Sequence, residues 1–120
     1  MKPGDVVWVE FPAGAGRAQA GRRPALVVQS AEASARLPTV LVVPFTTQQD
    51  ALRFPGTVLV AADPPAGLRR PSVALVFQLT AVDRTFVSPV TGSIPASTLD
   101  VVRSSIDEIT GRLSTPPTPE

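Results

Sequence analysis

The chain is built from short apolar runs rich in valine, each bounded by proline or glycine. The runs span residues 5–11, 24–29, 39–45, 56–60, 72–79 and, less regularly, 80–86. Valine and the aromatic residues favour extended backbone, so segments of this kind and length are typical of strands. The chain contains 14 prolines, mostly at the edges of the runs, where a missing N–H is tolerated. We predict a sheet of short strands that turn sharply.

One segment near the end of the chain has helical spacing. Its apolar residues are three or four positions apart and form a single stripe: Leu99, Val102, Ile106, Ile109 and Leu113. This spacing predicts a helix over residues 97–112, begun by a capping box of Ser97 and Asp100 and ended near Gly111. The fold class is therefore mainly β with α, a small curled sheet or barrel with a C-terminal helix.

The composition excludes several kinds of site. The 120-residue chain has no cysteine and no histidine, which excludes disulfides, thiolate catalysis and Cys-ligated zinc and removes the commonest general base. The acids are scattered, without the convergent carboxylates of a two-metal nuclease. Residues 14–16 resemble part of a phosphate loop but lack its Gly-Lys-Ser/Thr ending. We expect no metal and no cofactor.

We expect a cytoplasmic protein without a membrane partner. No apolar run approaches the roughly 20 residues that span a bilayer, and the first five residues contain no apolar leader region. A chain of this length forms one domain, which we place at residues 1–113. Residues 114–120 are polar and rich in proline, which predicts a disordered tail.

Positive charge is concentrated in two places. Arg17, Arg22 and Arg23 lie in a stretch without acids, and Arg69 and Arg70 form a second basic point. A basic face on a chain of net charge +1 suits a polyanionic partner without strong non-specific binding. An ordinary solvated surface is the alternative.

Arginine and hydroxyl residues occur at the ends of two predicted strands. Arg23 precedes Pro24 at the start of one strand, and Thr46 and Thr47 follow Phe45 at the end of the next. A guanidinium is a planar, permanently charged fork that suits phosphate. RNA brings its own nucleophile, the 2′-OH, so a nuclease needs only to align that group and stabilise the charge that develops. Arg23 could equally cap strand carbonyls or pair with an acid such as Asp5.

These motifs together resemble the MazF/PemK family of toxin endoribonucleases. The shared features are the Gly-Asp-Val opening at residues 4–6, Gly-x-x-Gln at 16–19, Gly-x-Arg-Pro at 21–24, Thr46 after the next strand, and the strand with glutamine at 73–79. The likeness covers residues 3–113. Two positions depart from it: Ala18 and Phe77 stand before Gln19 and Gln78, where family members often have acids.

The resemblance implies an SH3-like barrel, a homodimer, and cleavage of single-stranded RNA at a short recognition sequence. It also implies a cognate antitoxin whose acidic, disordered segment covers the RNA groove. Carried over by position, Arg23 and Thr46 are the catalytic pair, and Gln78 contacts RNA. Gln78 could equally satisfy buried backbone groups. The other residues expected to bind RNA are Arg17, Gln19, Arg22, Thr47, Arg69 and Arg70.

Two other functions remain open from the sequence. A gyrase-poisoning toxin like CcdB has a similar fold but acts by protein contact through its C-terminal helix, which would leave Arg23 and Thr46 without a catalytic role. A non-catalytic RNA-binding barrel would keep the groove without the chemistry.

Overall fold

The computed structural model describes residues 1–12 and 21–113. In this part of the chain one sheet of seven strands is accompanied by two α-helices. The strands are β1 (Asp5–Phe11), β2 (Gly21–Val27), β3 (Thr39–Thr46), β4 (Thr57–Val60), β5 (Ser72–Leu75), β6 (Thr80–Asp83) and β7 (Gly92–Ser93). The helices are α1 (Ala31–Arg36) and α2 (Ala96–Ile109).

The sheet is antiparallel and curls around β3. The strand order is β4-β5-β3-β2-β1-β7, and β6 also pairs with β3. The first half of β3 pairs with β6 on one side, and its last two residues, Phe45 and Thr46, pair with β5 on that same side. Because β3 changes partner along its length, the sheet closes into a half-barrel. The predicted mainly β fold, an SH3-like curled sheet with a C-terminal helix, is confirmed.

Both faces of the central strands are buried, which explains why these segments are apolar at nearly every position. Even-numbered residues of β1 and β2, such as Val6 and Leu26, face a core that includes Val102 of α2; we call it the helix-side core. Odd-numbered residues such as Val7 and Val27 face a second core closed by β6, the β6-side core. Successive side chains of a strand alternate between the faces, so each strand contributes to both cores.

The predicted helix is present but begins differently from the prediction. Its N-cap is Pro95, whose carbonyl accepts a hydrogen bond from the N–H of Leu99 at 3.0 Å, and no side chain caps this end. The predicted capping box of Ser97 and Asp100 is therefore wrong. Proline at the N-cap is tolerated because its extended backbone is compatible with a helix start and its own N–H is not needed there.

The apolar stripe of α2 divides into two parts. Leu99, Val102 and Ile106 pack on the helix-side core, whereas Ile109 and Leu113 are 42% and 45% exposed. At the C-terminal end of α2, Ile109 approaches Gly56 so closely that a Cβ on that glycine would overlap it. Gly56 also has a φ of +73°, a conformation that side chains disfavour. Glycine therefore permits both the turn before β4 and the contact with α2.

The predicted strand over residues 72–79 ends earlier than expected. Extended pairing stops at Leu75, and Val76–Gln78 forms a 3₁₀ turn in which the N–H of Leu79 donates to the carbonyl of Val76 at 3.0 Å. The N–H of Phe77 bonds instead to the carbonyl of Gly56 at 3.1 Å. The apolar run continues because the chain stays beside the core, although it has left the ladder. Gln78 consequently lies on a turn, not on a strand.

The last predicted strand is also shorter, because a side-chain cap ends it. After β6 the chain forms the 3₁₀ turn Arg84–Phe86, and the Asp83 carboxylate accepts hydrogen bonds from the N–H and hydroxyl of Thr85 at 2.8 and 2.7 Å. These bonds, with the backbone one contributing most, lower the pKa of Asp83 below its ordinary value. The two-residue strand β7 has too few residues for its pattern to be recognised in the sequence.

Candidate active site and adjoining pocket

The strand register brings Arg23 and Thr46 to the same end of the sheet. The β2–β3 ladder runs from Val27 opposite Val42 to Ala25 opposite Pro44. The ladder stops there: Arg23, two residues before Ala25, pairs with Val9 of β1, and Thr46, two residues after Pro44, pairs with Val73 of β5. Because successive side chains of a strand alternate between faces, both residues lie on the face of the β6-side core. Arg23 and Thr46 therefore share one face, beyond the end of the ladder that we call the lip of the half-barrel.

The local backbone explains how Arg23 is presented. Gly21 opens β2 with a φ of +84°, which glycine adopts freely. On its other side β2 pairs with β1, where Arg23 lies opposite the fully buried Val9. Arg23 is half-buried, and its strand is fixed by neighbours on both sides. A charged group on a central strand is better fixed than one on a loop.

Thr46 is held more tightly than a threonine at a free strand end. Only 7% of it is exposed, and its Oγ1 accepts a hydrogen bond from the N–H of Gln48 at 3.2 Å. A hydroxyl can accept and donate at the same time, so this bond sets the direction of the side chain while the hydroxyl keeps its donor capacity. The arrangement suits a group that must orient a substrate oxygen.

Asp5 lies at the end of β1 away from Arg23, and its partner there is Lys2. Its carboxylate accepts hydrogen bonds from Nζ and from the backbone N–H of Lys2 at 3.0 and 2.9 Å. Arg23 pairs with Val9, four residues further along the strand. The alternative in which Asp5 neutralises Arg23 is therefore not supported by the structure.

The neighbouring arginine points to the other face. Arg22 lies on the side of the helix-side core, and its Cζ is 5.4 Å from the centroid of the Trp8 ring, a cation–π contact. Trp8 is half-buried and belongs to neither core. Glu10 lies opposite Arg22 in the ladder. The side chains of Arg22 and Arg23 therefore lie on opposite faces of β2.

A pocket of about 380 Å³ opens beside Trp8 on this second face. Its walls come from the middle of β1 and β2, the residue after β3, the loop before β5 and the first residue of β5. The lining residues are Trp8, Pro24, Thr47, Gly67, Leu68, Arg69, Arg70 and Ser72. Arg69 and Arg70 are exposed, and no ion pair within the described residues involves either one. Three of the predicted RNA-binding residues, Thr47, Arg69 and Arg70, are therefore brought together.

Gln78 lies on the turn between β5 and β6, the two strands that pair with one edge of β3. Its 3₁₀ turn connects β5, which pairs with Phe45 and Thr46, to β6, which starts opposite Val42. The turn therefore runs past the middle of β3, near the strand end that carries Thr46. Phe77, which replaces a family acid, is 43% exposed, and its ring lies 5.9 Å from that of Phe54. The predicted residues Arg17 and Gln19 lie outside the described residues, as does Ala18.

Sequence reasoning missed most of the pocket wall. The sequence favours a core or a subunit contact for Trp8 over base stacking, and it does not single out Leu68 or Ser72. Alternation along β1 puts Trp8, in the middle of the strand, on the face of Val6, yet Trp8 belongs to neither core. Among residues 1–12 and 21–113, no three acidic side chains come together as a metal site would require. No helix in this part of the chain is long and apolar enough to span a membrane.

A curled antiparallel sheet with a C-terminal helix defines a class of small half-barrel proteins. Residues 2–110 match the family described as PemK-like, MazF-like toxin of type II toxin-antitoxin system. Endoribonuclease MazF6 of Mycobacterium tuberculosis is 31% identical over 99 residues, which cover 82% of this chain and 86% of that protein. The chain belongs to the PemK/MazF toxin family.

Solved structures agree with this assignment. The crystal structure of MazF from Deinococcus radiodurans superposes with a TM-score of 0.77 at 29% identity, over 92% of this chain and 96% of that one. A MazE–MazF crystal structure from the same organism superposes with a TM-score of 0.73 at 28% identity, over the same shares of the two chains. The resemblance inferred from the sequence motifs is confirmed.

Proposed function

We propose that the chain is the toxin of a toxin–antitoxin pair and cuts single-stranded RNA at a short sequence, without a metal ion, in the cytoplasm. The observation that carries the proposal is that Arg23 and Thr46 lie on the same face, each two residues beyond the end of the β2–β3 ladder. Family membership and relatives named endoribonucleases support it. Residues 1–113 form the active domain in this proposal.

The reaction needs no nucleophile from the protein. The 2′-oxygen attacks the adjacent phosphorus and forms a P–O2′ bond while the P–O5′ bond breaks. The 2′-OH loses its proton, the leaving 5′-oxygen gains one, and the products end in a 2′,3′-cyclic phosphate and a 5′-OH. The Arg23 guanidinium stabilises the charge on the phosphorane, and the Thr46 hydroxyl donates to a phosphate oxygen. Preorganised donors of this kind contribute several kcal/mol each at most.

The direct test is incubation of the purified chain with end-labelled single-stranded RNA and with DNA of the same sequence. We expect RNA cleavage at a restricted set of sites and no DNA cleavage. An intact RNA pool would refute the proposal. A gyrase supercoiling assay run beside it examines the CcdB-like alternative, for which the exposed end of α2 is the one supporting observation; we expect no inhibition.

The antitoxin is proposed to cover the same basic lip. A MazE–MazF complex among the similar structures supports such a partner. An acidic segment of the antitoxin should therefore inhibit cleavage in this assay, and the inhibition should weaken as salt rises, because charges at an exposed lip are screened.

A homodimer is proposed from apolar surface that the monomer leaves uncovered. From the sequence, Trp8, Phe11 and the apolar stripe of α2 are expected to supply this surface, but Phe11 is only 6% exposed and belongs to the β6-side core. The surface instead consists of exposed side chains that lie near one another at the end of α2, which we call the apolar patch: Phe54, Phe77 and Ile109. Exposed apolar surface of this kind marks an interaction site.

We expect the chain to sediment as a dimer in the micromolar range and Ile109→Asp to sediment as a monomer, because a carboxylate in the patch would have to be desolvated. Val101→Asp is the matched control: Val101 is 53% exposed on the same helix but lies outside the stripe. Wild type that is monomeric and still cuts RNA would show that the site is complete within one chain.

A further inference from the structure

The hydroxyl of Thr46 is bonded to a backbone group of the loop that follows it. We propose that this group, the N–H of Gln48, is a positioning group for the cleavage reaction, because it holds the Thr46 hydroxyl in the rotamer from which it donates to the phosphate. The inference rests on the proposed function for its reaction. It gives a role to a residue whose side chain that reaction does not use.

The sheet fixes the backbone of Thr46 but not the direction of its hydroxyl. Thr46 is the last residue of β3 and pairs with the fully buried Val73 of β5. Rotation about χ1 moves Oγ1 among three staggered positions, and threonine hydroxyls outside regular structure often bond to nearby backbone groups. The position of Oγ1 therefore depends on its partner outside the strand.

The N–H of Gln48 is a partner that leaves the hydroxyl proton available. It donates to Thr46 Oγ1 at 3.2 Å and so occupies one acceptor position of the hydroxyl. Because an N–H can only donate, the hydroxyl proton has to find another acceptor. A phosphate oxygen is such an acceptor, so this bond suits the donor role that the mechanism gives to Thr46.

The backbone of Gln48 is itself fixed by the loop. Gln48 is the N-cap of the 3₁₀ helix Gln49–Arg53, with a φ of −76° and a ψ of 97°, and its carbonyl accepts a hydrogen bond from the N–H of Ala51 at 3.1 Å. The N–H groups at the start of a helix have no partner within it, so that of Gln48 is available to Thr46. Gln48 is therefore bonded on both sides, through its carbonyl to the 3₁₀ helix and through its N–H to the strand end.

The far end of the same loop is anchored by an aromatic contact. The ring of Phe54 lies 5.9 Å from that of Phe77, and the carbonyl of Phe54 accepts a hydrogen bond from the hydroxyl of Thr57 at 2.8 Å. An acid at position 77, which family members often have, would not supply this aromatic contact. A loop that is fixed at both ends has less entropy to lose when substrate binds, so the N–H of Gln48 is preorganised.

Gln48→Pro removes this one donor. The φ of −76° suits proline, whose ring sets φ at about −65°, and the Gln48 side chain is exposed. We expect the single-turnover cleavage rate at saturating RNA to fall on the order of 5- to 10-fold, the factor that corresponds to loss of one neutral hydrogen bond. Affinity for an RNA oligonucleotide blocked by 2′-O-methyl at the cut should be nearly unchanged. Gln48→Ala is the matched control, because it keeps the N–H, and both quantities should equal those of wild type.

The rotamer of Thr46 is measured without RNA, from the three-bond NMR couplings of its Cγ2 to the backbone nitrogen and carbonyl carbon. We expect the couplings of a single rotamer in wild type and in Gln48→Ala, and averaged couplings in Gln48→Pro. Thermal melting establishes that the variants are folded. If Gln48→Pro does not fold, an ester in place of the amide between Thr47 and Gln48 removes the same N–H without a proline ring.

A double-mutant cycle tests whether Gln48 acts through Thr46. Thr46→Val removes the hydroxyl that the N–H contacts, so Gln48→Pro should cause no further loss in the residual cleavage of that variant. An equal loss in both backgrounds would show that the loop acts independently of Thr46, which would overturn the inference.

The outcomes separate this inference from the proposed function. Averaged couplings in Gln48→Pro together with a wild-type cleavage rate would overturn the inference and leave the cleavage proposal intact. A single Thr46 rotamer in Gln48→Pro would overturn it whether or not the chain cuts RNA. A wild-type chain that cuts no RNA would refute the proposed function, and with it the catalytic role of this bond, whatever the couplings show.

Discussion

Arg23→Lys is expected to lower the RNA cleavage rate on the order of 10²-fold or more, by analogy with removal of one preorganised donor from a transition-state site. Lysine keeps the positive charge but loses the planar fork that contacts two oxygens of one phosphate. The variant should fold normally, because the long aliphatic stem is retained beside Val9 and no buried hydrophobic group is removed. Single-turnover cleavage and thermal melting measure the two effects.

Arg22→Lys is the matched control for this change. It is the same substitution at the adjacent residue, but it lies on the face that carries Trp8. We expect a cleavage rate within a few-fold of wild type at saturating RNA, with weaker binding and a salt dependence that is little altered, since the charge is retained. Equal losses at the two positions would mean that the catalytic arginine has been misassigned.

The second large effect concerns the substrate. An RNA with a single 2′-O-methyl group at the cut should not be cleaved there, whereas cutting at other sites of the same molecule should continue. The reason is that methylation removes the proton and nucleophilicity of the one oxygen that attacks phosphorus in this mechanism. Mass spectrometry of the unmodified substrate should find a 2′,3′-cyclic phosphate on one product and a 5′-OH on the other.

The same cleavage assay tests whether the reaction requires a metal ion. Because the mechanism takes its nucleophile from RNA and assigns charge stabilisation to Arg23, excess EDTA should leave the rate unchanged. Methylation of a nucleotide two positions from the cut is the control for the 2′-O-methyl substrate. Loss of activity in EDTA, or cleavage of the blocked linkage, would contradict the mechanism.

The sequence predicted the strands best where both faces are buried. For β1 and β3 the runs of valine coincide with the observed bounds within a residue, because no other local structure accommodates so many β-branched side chains. The error at residues 76–79 arose where apolar residues leave the ladder but stay beside the core. Composition reflects burial, and burial alone does not distinguish a strand from a 3₁₀ turn.

The candidate site was predictable only in part for a related reason. Arg23 and Thr46 were identified by motif, and the structure puts them on one face beyond the end of the β2–β3 ladder. The pocket beside Trp8 was not identified, because the sequence does not distinguish an aromatic residue that enters a core from one that lines a pocket. The capping box failed similarly: the extended backbone at Pro95 started α2 one residue earlier than the side-chain pattern predicted.

The division of β2 between two faces has a consequence for how such a protein diversifies. Arg22 and Arg23 are neighbours in the chain, yet a two-residue period sends them to different surfaces, as it does Thr46 and Thr47. Residues on the face that carries Trp8 can therefore change while the side chains on the face that carries Arg23 stay in place. An insertion or deletion of one residue within β2 would exchange the two surfaces. Point substitutions in β2 can therefore alter one surface at a time, whereas a change in the length of β2 alters both surfaces.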